Sequence, residues 1–264
     1  MRTDLAAECL NMEEDLPKGI LCHRQPLEKG SILLVEISDE EGARHIGKPQ
    51  GIYVTLECEP LWQDGDAPEL VEALAGGLRQ LLPQEGAVLV VGLGNREITA
   101  DALGPAAAEK IFVTRHLGDT FPELRQVAAL APNVLGKTGM EAVETIKAVV
   151  ESIHPSAVIA VDAMAAASTE RLGSTVQLSN SGIVPGSGVL NARKALNEET
   201  LHVPVIALGI PTVVDVGMLH DEPMMCTPRQ IDQLIQRGAN LLAMAVNRAL
   251  HPSFSLEELL LLQS

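Results

Sequence analysis

The sequence predicts an α/β protein, a single-domain three-layer α/β/α sandwich with a mostly parallel central sheet, spanning residues 1–264. Three observations lead there. From Ala87 onward, apolar runs of strand length alternate with segments of helical periodicity, the pattern of parallel strands joined by right-handed crossovers. The chain is 46% hydrophobic but only 2% aromatic, so its core is built from Ala, Val, Leu and Ile, which suits a sheet covered on both faces. Its 264 residues are enough to bury one large core.

Taken in order, residues 1–30 are polar and interrupted by Pro17 and Pro26, and are expected to be irregular. Ser31–Ser38 and Gly51–Cys58 are rich in β-branched residues and read as a strand pair with a long connection. Between Pro68 and Leu82, Leu70, Val71, Leu74, Leu78, Leu81 and Leu82 recur at helical spacing, and Pro83 closes the segment. Ala87–Val91 is a buried strand, followed by a helix of about four turns ending near Leu117. Val127–Leu130 is a strand, Gly139–Ile153 an amphipathic helix, and Ala157–Val161 a strand that ends at Asp162. Thr175–Leu178 and Val203–Leu208 are further strands, with a helix near Ala192–Leu201 between them. Thr227 as N-cap and Pro228 at the first helical position open a last helix reaching Leu250, and a Leu-rich tail, Leu256–Leu262, follows Pro252 and Ser253.

Composition narrows the function. With 19 basic against 35 acidic residues the net charge is −16 and no basic run interrupts it, which argues against direct nucleic-acid binding. The four cysteines form no Cys-x-x-Cys pair and the seven histidines no ligand cluster, so neither a metal nor another cofactor is expected. No stretch is long and apolar enough for a membrane span or a secretory signal, which points to a cytoplasmic protein away from membranes.

Two carboxylates occupy comparable positions: Asp101 in the loop after the strand ending at Val91, and Asp162 directly after the strand ending at Val161. If those strands are neighbours, both acids rise from one edge of the sheet, where open α/β folds place their chemistry. Close carboxyl groups cannot both ionise freely, so such a pair holds and passes a proton near neutral pH, the minimum apparatus for activating water against an amide. Asp101 also fits a helix N-cap, as does Thr99, and Asp162 could serve only to hydrogen-bond a loop. Asp215 beyond Val214 is read as support.

The loop Ser179–Gly188, with Ser181, Gly182, Gly186 and Ser187, leaves backbone amides uncovered and suits an oxyanion or a tight turn; Gly94 and Asn95 suit a tight turn, as loop support or substrate contacts. Neither is a phosphate or dinucleotide loop, since the first lacks Gly-Lys-Ser/Thr and Glu97 stands where a third glycine is required. Ser187 is not framed as a nucleophile elbow, because Pro185 replaces the first glycine.

Several segments together resemble the germination proteases of spore-forming bacteria. They are Arg2-Thr3-Asp4-Leu5-Ala6, Gly92-Leu93-Gly94-Asn95 with Thr99 to Pro105, Ala131-Pro132 with Gly136-x-Thr138-Gly139-Met140-Glu141, Val161-Asp162-Ala163, Ser179 to Val189, and Gly209 to Asp215. The resemblance implies an endopeptidase acting on small acid-soluble spore proteins during germination, in the forespore or spore core, with Asp101 and Asp162 as its catalytic acids. It also implies kinship with hydrogenase maturation endopeptidases, which with an inactive binding relative are the alternative readings. Autoprocessing is implied between Asp4 and Leu5, giving a leader of four residues, shorter than is usual in the family. A homotetramer is implied too, although the chain between Val216 and Cys226 is shorter than in the family. An acidic substrate approaching a protein of charge −16 needs a local basic contact, for which Arg193 and Lys194 are the candidates.

Overall fold

The computed structural model describes residues 3–10, 16–63, 68–186, 193–216 and 224–262. After a 3-10 turn at Ala6–Cys9, the chain forms β1 (Ile20–Leu27), β2 (Gly30–Ile37), α1 (Glu40–Ile46), β3 (Gly51–Cys58) and α2 (Pro68–Leu81). The second stretch comprises β4 (Val88–Gly92), α3 (Leu103–Ala108), β5 (Val127–Leu130), α4 (Leu135–Thr138), α5 (Ala142–Ile153) and β6 (Ala157–Ala166). The remainder is β7 (Thr175–Ser179), α6 (Glu198–Leu201), β8 (Val205–Asp215), β9 (Met225–Cys226), α7 (Ile231–Leu250) and α8 (Leu256–Leu262).

Among the described residues, the nine strands join one sheet in the order β1-β2-β3-β7-β8-β6-β4-β5, with β9 pairing β8. The pairs β4–β5, β4–β6 and β6–β8 are parallel, and β1, β2, β3 and β7 extend the sheet antiparallel. Alternation along the parallel strands then sorts two cores. Val88, Val90, Ile159, Val161, Ile206 and Leu208 face α2, α3 and α7, whereas Leu89, Val91, Val158 and Ala160 face α5. The expected layers are therefore present, and each fully buried aliphatic side chain in them contributes about 1.5–3 kcal/mol.

Several elements differ from the sequence expectation. Residues 20–27 are a strand rather than irregular chain; Pro26 is tolerated because β1 lies at the sheet edge, where a missing N–H costs no ladder bond. The connection between the first two expected strands is helical, with the Asp39 side chain accepting from the Gly42 N–H and Gly47 closing it at φ 73°. The four-turn helix after β4 is only six residues, Leu103–Ala108. The helix expected from Gly139 begins at Ala142, because Gly139 takes φ 73° and ends α4. That expected near Ala192–Leu201 is the four-residue α6, residues 187–192 lying outside the described chain. Thr227 and Pro228 precede the last helix, whose N-cap position is Gln230.

Candidate active site

The connections position the site. β4 leads through α3 to β5 on one side, and β5 returns through α5 to β6 on the other side of β4. The chain thus reverses direction at β4, and the loops leaving β4 and β6 part to leave a crevice. β4 stops at Gly92, opposite Val161, while β6 and β8 continue side by side, Asp162 lying opposite Gly209. Asp162 is therefore inside a strand rather than at its end, and it is only 6% exposed.

The loop that fills the space beyond Gly92 carries Asp101. Its carboxylate accepts the Asn95 N–H at 2.7 Å, so Asp101 braces its own loop and does not cap α3. Gly94 is required there: its φ is +113°, and a Cβ would stand 2.1 Å from the Asp101 carbonyl oxygen. The Asn95 side-chain oxygen accepts the Glu97 N–H at 3.0 Å, and the buried Thr212 hydroxyl on β8 donates to the Ala100 carbonyl at 2.7 Å. The loop is thereby tied to the strand next to Asp162.

Asp101 and Asp162 line one cavity of about 420 Å³, with Asp4, Gly94, Asn95, Gly186 and Arg193 among its other walls. Burial raises the Asp101 pKa from the ordinary aspartate value, against the lowering effect of the Asn95 N–H. Burial raises Asp162 well above that value, and the Asp101 and Asp4 charges push it further; the Ala163 N–H, 2.9 Å from Asp162 Oδ1, opposes them. Two acids so placed retain a proton where free carboxylates lose it, which fits one to take a proton from water and the other to give one to a leaving amine.

The other expected residues fall in different places. Ser181 and Gly182 line a neighbouring cavity of about 270 Å³, with Lys48, Tyr53, Gln177 and Ser179. Arg193 and Lys194 stand 3.9 and 3.8 Å from Glu141 and Glu144. Ser187 lies outside the described residues. Asp215 is the last residue of β8, within the strand and not beyond it. Among the described residues, no group of three or more His, Cys, Asp or Glu could hold a metal ion, and no helix is long and apolar enough to cross a membrane.

Asp4 and Leu5 are held firmly. The Asp4 N–H donates to the Ala165 carbonyl at 2.9 Å and its carboxylate accepts the Ala165 N–H at 2.8 Å. Leu5 is fully buried against Met164 and Ala166, and Lys48 donates to the Thr3 carbonyl at 2.8 Å. The Glu8 carboxylate accepts the Ala167 and Ser168 N–H groups at 2.8 and 2.9 Å. Sequence reasoning missed Thr212, Lys48, Glu8 and Gln177. Only Gln177 left a readable trace, an amide between Val176 and Leu178 in the short strand β7.

Comparison with known proteins puts the chain among the peptidases. The profile of the germination protease family, peptidase family A25, matches residues 3–222, and the chain belongs to that family. It is 36% identical to the germination protease of Clostridium perfringens over 320 residues, covering 98% of each chain. It is 44% identical to that of Priestia megaterium over 236 residues, covering 81% of this chain and 64% of the relative. A solved NiFe hydrogenase maturation protease, HycI of Thermococcus kodakarensis, covers 64% of this chain and 98% of its own at 16% identity and a TM-score of 0.40, too distant to carry an argument.

Proposed function

We propose that the protein is the endopeptidase that starts the breakdown of small acid-soluble spore proteins at germination, in the spore-core cytoplasm, by water activated between Asp101 and Asp162. The observation that carries this reading is the shared cavity: in a germination protease, a half-buried and a buried acid, both with raised proton affinity, line one cavity where β4 ends beside β6. The ionised carboxylate of the pair takes a proton from water as its oxygen attacks the amide carbon. The protonated carboxyl then gives its proton to the leaving nitrogen, and the two acids exchange roles between turnovers. Gly94 and Asn95 hold Asp101 in place, while Arg193 and Lys194 supply positive charge at the cavity for acidic residues flanking the cut.

The same site removes the leader by cutting between Asp4 and Leu5, and the working form is a homotetramer. Support for self-cleavage comes from Asp4 forming part of the cavity wall. The test is digestion of a purified small acid-soluble spore protein, with cut sites read by mass spectrometry and the enzyme's N-terminus sequenced in parallel. Cleavage beside an acidic residue, together with a new N-terminus at Leu5, is the expected outcome. An untouched substrate, or full activity with Met1 still in place, contradicts the reading.

A further inference from the structure

The N-terminal segment does more than lie near the cavity. Asp4 lines both the cavity of Asp101 and Asp162 and the neighbouring one lined by Lys48, Gln177 and Ser179, so it stands between the two. Its backbone runs as an added strand partner for Ala165, one N–H to one carbonyl. The carbonyl of Asp4, which belongs to the Asp4–Leu5 peptide bond, accepts a hydrogen bond from Gln177 Nε2 at 3.0 Å. On the far side of that bond, the Ala6 N–H donates to Gln177 Oε1 at 2.7 Å.

One side-chain amide therefore holds the Asp4 carbonyl and the Ala6 N–H, the backbone groups on either side of Leu5. Register places it for this task. Gln177, Gly209 and Asp162 are successive partners across β7, β8 and β6, so Gln177 and Asp162 rise from the same face, about 10 Å apart at the backbone for two strand spacings. Gln177 is 4% exposed, and its amide is spent on these two backbone groups.

We infer that Gln177 is a further catalytic residue, the donor that polarises the carbonyl of the bond to be cut, and that the Ala165 N–H reads the acidic side chain preceding that bond. This rests on the endopeptidase reading above. In the step, the water oxygen bonds to the Asp4 carbonyl carbon and one carboxylate takes the water proton. The negative charge gathers on the carbonyl oxygen against Gln177 Nε2–H. Collapse breaks the carbon–nitrogen bond, the other carboxyl supplies the proton to the Leu5 nitrogen, and the leader departs with a new carboxylate on Asp4. Substrate proteins in trans use the same amide once the groove is clear. An acidic side chain before the cut takes the place of the Asp4 carboxylate on the Ala165 N–H, and a small residue suits the position of the fully buried Ala6.

The test compares Gln177→Ala, Gln177→Glu and Asp162→Asn with the native full-length chain. Leader removal is followed by intact mass, and turnover by a peptide of the sequence Thr-Asp-Leu-Ala-Ala-Glu with blocked ends. Gln177→Glu keeps an acceptor for the Ala6 N–H but loses the donor. Loss of one such donor costs about 10²–10³ in kcat, so both Gln177 variants should cut the peptide at least 100-fold more slowly at saturation, with KM changed far less. The peptide with Asn in place of Asp should show a raised KM. If Gln177→Glu restores native kcat, or both variants stay within twofold of native while Asp162→Asn is inactive, the role of Gln177 is overturned and the carboxyl pair stands. If Asp162→Asn itself cleaves normally, the carboxyl pair is overturned instead. Near-native thermal unfolding of either Gln177 variant keeps the comparison free of misfolding.

Discussion

Asp162 sits in the middle of a buried strand with apolar neighbours on both sides, a position that costs stability whenever it is ionised. Its folded proton affinity lies well above that of an unfolded aspartate, near pH 3.9. The folded state therefore holds the proton more tightly: the stabilisation is fully present below about pH 4 and is lost as pH rises through the folded value. Asp162→Asn should accordingly raise the melting temperature at pH 7 and leave it unchanged near pH 3.5, as scanning calorimetry at the two pH values would show. A lower melting temperature at pH 7 would contradict the assignment of burial as the cause. Thr212 acts on the other acid. Thr212→Val removes the 2.7 Å bond to Ala100, at a cost of about 0.5–1.5 kcal/mol for a partly buried hydrogen bond. Urea unfolding should show that loss, and kcat should fall as the Asp101 loop loosens. At this scale the sequence showed both acids, because each follows an apolar run. It hid Thr212 and Glu8, whose partners lie 112 and about 160 residues away in the chain.

Elements meet at the site through glycines. A Cβ at Gly104, early in α3, would stand 2.2 Å from the Leu93 carbonyl oxygen and 2.4 Å from that of Val161, both backbone atoms that cannot swing aside. α3 can thus press onto the ends of β4 and β6 only with Gly at this position. Gly104→Ala should destabilise the fold by about 1–3 kcal/mol or more, the cost of overpacking a tight core, and disturb the loop bearing Asp101. A chemical melt within 0.5 kcal/mol of native would contradict that packing. The parallel strands and α2 were legible because their apolar periodicity is strong. The length of α3 was not: Glu109 and Lys110 after Ala108 are good helix formers, yet the chain turns away to bring Thr114 to the Val127 backbone. β6 was cut short in the sequence because Asp162 reads as a strand terminator, whereas pairing with β8 carries the strand on to Ala166.

The molecule as a whole carries a charge of −16, and the cations that line or flank the cavity already stand near Glu141 and Glu144. An acidic peptide is therefore repelled at long range and welcomed only by short contacts. Raising ionic strength from about 0.02 to 0.2 M shrinks the screening length and should increase kcat/KM for such a peptide. A fall would mean that net attraction steers the encounter. Size also sets this chain apart: the 320-residue alignment with the Clostridium perfringens enzyme is longer than the chain's 264 residues, so that relative carries residues absent here.

The most direct measurement of the central claim is the turnover number of Asp101→Asn and Asp162→Asn on one acidic peptide, beside the native chain under identical conditions. Each substitution removes one proton-transfer group and keeps the shape of the side chain. Proton transfer by one positioned group contributes about 10²–10⁴ in rate, so each variant should lose at least 100-fold in kcat while remaining folded. Turnover within tenfold of native in either variant would contradict catalysis by the pair.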